Sequence, residues 1–199
     1  MRPGFVPSAL TPLSLQEASI ACLQAHSIVF GVVPGRDELC MMLAQWAEET
    51  ARGRAMWNNN AGNLRGTGPG GLWTVIEGAS EVVDGHEFFW RRGAWVDKAG
   101  TPAPADVAAK LGDNGFAAYS NATEGFAGLL RFVGVASHPP KPNRFAAAWG
   151  AAKRGDVAAY CAGLKAGHYF TADLGIYTRG MNGLFTWVRD SLFVEQARP

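Results

Sequence analysis

The sequence predicts a mainly α (α+β) fold, in which helices precede and follow a small inserted lobe of β-hairpin and irregular structure. Three observations lead there. Apolar residues recur at helical spacing in two stretches, about 13–65 and 116–195. Between them, over about 66–115, glycines and prolines multiply and short β-prone runs alternate with turns. The length, 199 residues, suits one domain with an inserted lobe rather than two independent cores.

Each element has its own signal. Ser14 followed by Glu17 is a capping box, and Leu15, Ala18, Ile20, Leu23 and Val29 continue it as a helix to Phe30. Gly31 to Gly35, with Pro34, breaks that helix, and Asp37 and Glu38 supply the negative charge favoured at the start of a second one, expected from Leu39 to about Gly53. In the lobe, Leu72–Ile76 and Glu87–Trp90 read as strands, and Asp84-Gly85 as a hairpin turn between Glu81-Val82-Val83 and Glu87-Phe88-Phe89. Asn121 with Glu124 caps a helix carrying Phe126, Leu129, Leu130, Phe132 and Val133. Pro139, Pro140 and Pro142 mark a loop. Helices are expected over Arg144–Lys153, Val157–Ala166 (capped by Asp156) and Asp173–Val194 (introduced by Thr171).

Composition narrows the function. With 48% hydrophobic and 18% charged residues the chain should fold, and a net charge of +1 gives no field to attract nucleic acid. Cys22, Cys40 and Cys161 lack metal-ligand spacing and read as buried thiols. The four histidines are scattered, so neither a metal nor a cofactor is expected. No segment has the length of a membrane span, and Met1–Phe5 lacks the apolar run of a signal peptide.

One carboxylate stands out on the second helix. At 100° per residue, Leu39, Leu43, Trp46, Ala47 and Thr50 form the inward stripe, Glu48 points away toward a surface pairing with Arg52, and Glu49 falls at the stripe's edge beside Met42 and Trp46. Partial burial there would raise its pKa, as a general acid requires. Boundary glutamates are also common without function. The following Asn58-Asn59-Asn60-Ala61-Gly62-Asn63 is a polar loop, whose amides serve either the turn itself or sugar hydroxyls and N-acetyl groups.

Leu43-Ala44-Gln45-Trp46-Ala47-Glu48-Glu49-Thr50, followed by Asn59-Asn60-Ala61-Gly62-Asn63-Leu64, resembles the signature of the bacterial and phage glucosaminidases of glycoside hydrolase family 73. Phe116-Ala117-Ala118-Tyr119-Ser120 and Gly167-His168-Tyr169-Phe170-Thr171-Ala172-Asp173 with Tyr177 are similar to later family motifs, in family order. The family's aromatic before the loop glycine is missing, and Arg65 stands one place from the usual basic position.

The resemblance implies a lysozyme-like helical lobe over a small β-lobe. It also implies an endo-β-N-acetylglucosaminidase that cleaves the β-1,4 linkage between N-acetylglucosamine and N-acetylmuramic acid in peptidoglycan, with Glu49 as general acid. Glu81 resembles the acidic residue of the family's hairpin, with Asp84, Glu77 and Glu87 as rivals and a solvated strand residue as the plain alternative. Gln45, Asn59, Asn60, Asn63, Tyr119, Tyr169 and Tyr177 are the expected substrate contacts, although each tyrosine also suits a core. The competing functions are a lytic transglycosylase, a muramidase and a non-catalytic glycan-binding virion or structural module. The expected partner is the peptidoglycan glycan strand, met by a monomer. Without a signal peptide, the chain is expected to reach the wall or periplasm as an endolysin, a virion component or a secreted effector, through a holin, virion or secretion system.

Overall fold

The structure, a computed structural model, describes residues 3–112, 115–135 and 142–193. The expected loop prolines Pro139 and Pro140, and Val194, lie outside the described residues.

Helix α1 (Leu15–Phe30) begins at the Ser14–Glu17 capping box: the Ser14 hydroxyl accepts from the Glu17 amide, and the Glu17 carboxylate accepts from the Ser14 amide. α2 (Arg36–Glu49) is buried almost all round, from Glu38 to Ala47. A helix with no solvated face in this stretch must be the centre of its lobe. α1 and α4 (Ala122–Gly134) pack together, as do α2 and α7 (Leu174–Phe193), while α5 (Ala146–Ala152) and α6 (Val157–Ala166) complete the surround. The result is a mainly α, lysozyme-like helical lobe with small antiparallel sheets.

α2 stops at Glu49, four residues short of the expected end. Thr50 takes over: its hydroxyl donates to the Trp46 carbonyl and accepts from the Gly53 amide. Gly53 has φ +81, and a Cβ there would overlap the Leu13 carbonyl and the Trp46 ring, so the chain can turn away only at a glycine. Arg52 therefore leaves the helix (φ +58) and stacks over Trp187 at 4.9 Å instead of meeting Glu48 one turn on. At the other end of the chain, Asp173 rather than Thr171 caps α7, its carboxylate accepting from the Ile176 amide.

The inserted lobe has a second, smaller core. Strands β2 (Ser80–Val83), β3 (His86–Arg91) and β4 (Ala94–Val96) form one antiparallel sheet, and β1 (Trp73–Thr74) pairs with β5 (Phe116–Ala117) in another. Trp73, Val75, Phe88, Trp90, Trp95 and Leu111 close this core. Leu111 comes from α3 (Ala105–Gly112), a short helix where irregular structure was expected. The residues before α1 reach the lobe: Phe5 meets Trp73 edge-on at 5.2 Å, and the Trp73 indole donates to the Pro3 carbonyl at 3.1 Å.

Candidate functional site

Glu49, the last residue of α2, reaches a cleft of about 810 Å³. Gly62 to Arg65, from the loop after α2, line it together with Phe116 of β5. Phe132 of α4, Arg144, and residues 168–172 of the α6–α7 loop line it as well. Lys165 steadies that loop by donating to the Thr171 and Ala172 carbonyls at 2.7 and 2.6 Å.

The surroundings of Glu49 are specific. Gln45, one turn earlier and fully buried, donates from Nε2 both to Glu49 Oε1 at 2.9 Å and to the Tyr177 hydroxyl at 2.8 Å. The Tyr177 hydroxyl in turn donates to the same Oε1 at 3.4 Å. Tyr177 is held from behind by Phe170, stacked at 3.8 Å between ring centroids and 14° between planes. Two donors on Oε1 leave Oε2 as the oxygen that can carry a proton.

Burial raises the Glu49 pKa to about 7, with neighbouring Glu48 adding to the rise and the hydrogen bonds from Tyr177 and Gln45 opposing it. Glu48 is exposed and faces α7 beside Gly180. Both adjacent glutamates line the cleft, and burial raises both, but Glu49 lies deeper and is raised to about 7, whereas Glu48 also packs at the boundary with α7.

The asparagine loop divides its labour. Asn58 and Asn59 (φ +47 and +56) and Asn63 (φ +49) adopt the left-handed region that Asn tolerates better than most residues. Asn60 is buried, its Nδ2 donating to the Leu64 and Ala117 carbonyls and its Oδ1 accepting from the Leu64 amide. Asn59 donates to the Tyr119 carbonyl. The loop rests on α4 at Gly125, where any Cβ would overlap the Asn59 carbonyl. Of these amides, only that of Asn63 lines the cleft.

The other expected contacts separate in the same way. Tyr169 lines the cleft while its hydroxyl donates to the Gly62 carbonyl at 2.9 Å, tying the α6–α7 loop to the asparagine loop. Tyr119 lies in an adjoining recess of about 290 Å³, its hydroxyl against Gly128 and its pKa pushed by burial to about 12. Gln45 is not among the residues lining the cleft and reaches it through its hydrogen bonds to Glu49 and Tyr177, which both line it. Glu81, on β2, is not among the residues lining the cleft; its carboxylate is bound by Arg65 at 2.7 Å, and Arg65 does line it.

Sequence reasoning did not single out Phe132, Arg144 or Phe170. Phe132 had a signal: it lies off the α4 stripe formed by Phe126, Leu129, Leu130 and Val133, and is 38% exposed. Among the described residues no group of three or more His, Cys, Asp or Glu could hold a metal ion, and no helix is long and apolar enough to cross a membrane.

No protein-family model matches the chain, and no curated protein matches its sequence. Among solved structures, the fold is similar to the catalytic domain of the autolysin Auto from Listeria monocytogenes, with a TM-score of 0.53 at 18% identity, over 90% of this chain and 87% of that one. At that identity the likeness is one of fold, and it extends through both the helical lobe and the insertion.

Proposed function

We propose that the protein is a peptidoglycan hydrolase, an endo-β-N-acetylglucosaminidase in which Glu49 is the general acid. The observation that carries this reading is the Glu49 carboxyl group, raised to about pKa 7 by burial and facing an open cleft large enough for sugar rings. The order of the sequence motifs and the likeness in fold to an autolysin's catalytic domain support it.

Substrate lies along the cleft with its glycosidic oxygen near Glu49 Oε2. That oxygen gives its proton as the bond to the leaving sugar breaks, and an oxocarbenium-like centre develops. The Gln45 and Tyr177 donors on Oε1 then stabilise the new carboxylate. Phe116, Phe132 and Phe170 offer flat apolar faces to the sugar rings, and Asn63 an amide. Water completes the reaction, activated by Glu81 once it leaves Arg65, or assisted by the substrate's own acetamido group.

Lytic transglycosylase chemistry is the second reading, favoured by one observation: the Glu81 carboxylate is tied to Arg65. With no second carboxylate acting, an internal hydroxyl of the muramyl unit can take the place of water. Mass spectrometry of fragments released from purified peptidoglycan decides. Reducing-end N-acetylglucosamine products that vanish in Glu49→Gln are the expected result; reducing muramic ends mean a muramidase, and anhydro-muramic ends a transglycosylase. No fragments from folded wild type would refute all three and favour a glycan-binding module. Action on the cell wall follows from the same proposal.

A further inference from the structure

The cleft carries both signs of charge. Glu48 and Glu49 line it, as do Arg65 and Arg144, and Arg131 lines the adjoining recess. The Arg65 charge is met by Glu81 at 2.7 Å. Arg131 and Arg144 have no carboxylate partner among the described residues.

Arg144 is held ready. Its guanidinium lies over the Phe145 ring at 4.6 Å and over Phe132 at 5.3 Å. Stacking occupies the face of the planar group and leaves its edge N–H donors in the fork that matches a carboxylate. The backbone beneath is pinned, because Asn143 donates to the Val133 carbonyl and accepts from the Phe145 amide. Less side-chain freedom is then lost when a ligand arrives. Phe132 lines both the cleft and the recess, with Arg131 and Arg144 reaching these two spaces beside it.

A β-1,4 chain of N-acetylated sugars carries no charge of its own, so its backbone gives an unpaired guanidinium nothing to neutralise. The muramyl substituent does. Its lactyl group is either a free carboxylate or the root of a peptide stem with carboxylates further out. We propose that Arg144, assisted by Arg131, is a specificity site that binds a carboxylate of the muramyl substituent and so selects glycan bearing it. The proposal rests on the glycan-hydrolase reading above.

The test is calorimetric binding of soluble glycan fragments to Glu49→Gln protein, which prevents turnover, with and without Arg144→Gln. Three fragments are compared: one with intact stems, the same with its carboxylates amidated, and one with stems removed to leave lactyl carboxylates. Arg144→Gln should weaken binding about tenfold on a carboxylate-bearing fragment and leave the amidated one unchanged. Arg144→Lys should recover only part of the loss, and Arg131→Gln should show a smaller loss of the same kind. A loss confined to the stem-bearing fragment assigns the stem carboxylate, and a loss on the stem-free fragment the lactyl one. Equal affinity with and without Arg144, equal weakening on the amidated fragment, or no binding of any fragment would overturn the proposal. If these differences hold while wild type releases no fragments, the hydrolase reading fails and the carboxylate site stands.

Discussion

The helical lobe and the inserted lobe solve the same packing problem with different means. The helical lobe surrounds one buried helix, α2, and draws its core from α1 and α4–α7 as well. Among the described residues the inserted lobe has sheets of two and three strands, a 3₁₀ turn and one short α-helix, and closes on six buried residues, three of them tryptophans. A lobe this small can bury enough apolar area only with large rings. Glu49 ends the best-supported helix, whereas Arg65 and Phe116 stand where the chain enters and leaves the insertion. The acid is fixed by a deep core, and these two lining residues by a shallow one.

The largest expected effect tests the cost of placing an acid at the edge of that deep core. Glu49→Gln should lower kcat on peptidoglycan by about 10²–10⁴-fold. It should also stabilise the protein above neutral pH. With the folded pKa raised to about 7, the native state holds a proton that the unfolded chain releases near the ordinary glutamate value. Wild-type stability therefore falls as pH rises from about 4.5 to about 7, and then levels. At pH 8 the variant should gain on the order of 3 kcal/mol, and at pH 4 almost nothing. Urea melts at the two pH values measure this; equal effects at both would mean Glu49 is not desolvated.

Two tryptophans set the lobes against each other. Trp46, fully buried on α2, and Trp90, on β3, remove similar volumes when cut to Ala. Trp46→Ala should cost about 3–5 kcal/mol and move the global unfolding midpoint. Trp90→Ala should move it much less, while amide exchange in residues 73–96 accelerates, because a small core can open alone. Equal midpoint shifts would show that the lobes unfold as one unit.

A subtler effect falls on the hydrogen bonds behind the acid. Gln45→Met keeps the volume and removes a donor that favours ionised Glu49. The Glu49 pKa should rise further, by less than about one unit, and the alkaline limb of kcat/KM should move to higher pH with it. If the limb moves down or stays, the Gln45–Glu49 hydrogen bond does not tune the acid.

The contrast between lobes also explains what could be read from the sequence. Helix periodicity and caps are local, so α1 from Leu15 to Phe30 and α6 from Val157 to Ala166 were legible to the residue. The Glu49 position followed from the same wheel. The end of α2 was not legible, because it depends on Gly53 fitting between Leu13 and Trp46, distant partners in the chain. In the lobe, the Asp84-Gly85 turn was visible, but the pairing of Trp73 with Ala117 and the packing of Phe5 on Trp73 join residues far apart in sequence. Arg144 escaped for the same reason: what distinguishes it is the pair of rings beneath it and the absence of a carboxylate partner among the described residues, neither of which is a sequence pattern. The asparagine loop shows the opposite hazard. Its composition suggests a glycan site, yet Asn58 and Asn60 are accounted for by backbone hydrogen bonds.

The smallest effect sharpens the comparison most cleanly, because it touches the inserted lobe through backbone alone. Val83 pairs with His86 across a two-residue turn in which Asp84 has φ +51 and Gly85 φ +80. This handedness matches the twist of the flanking strands and favours glycine at the second position. A Cβ on Gly85 would meet nothing nearby, so Gly85→Ala adds no clash, only the strain of holding alanine in the left-handed region, about 1 kcal/mol. That cost should appear as faster amide exchange in β2 and β3, with the global midpoint almost unmoved and the Glu49-dependent pH limb unchanged. If the pH limb shifts, the hairpin is coupled to the acid, and the shallow lobe shapes the chemistry as well.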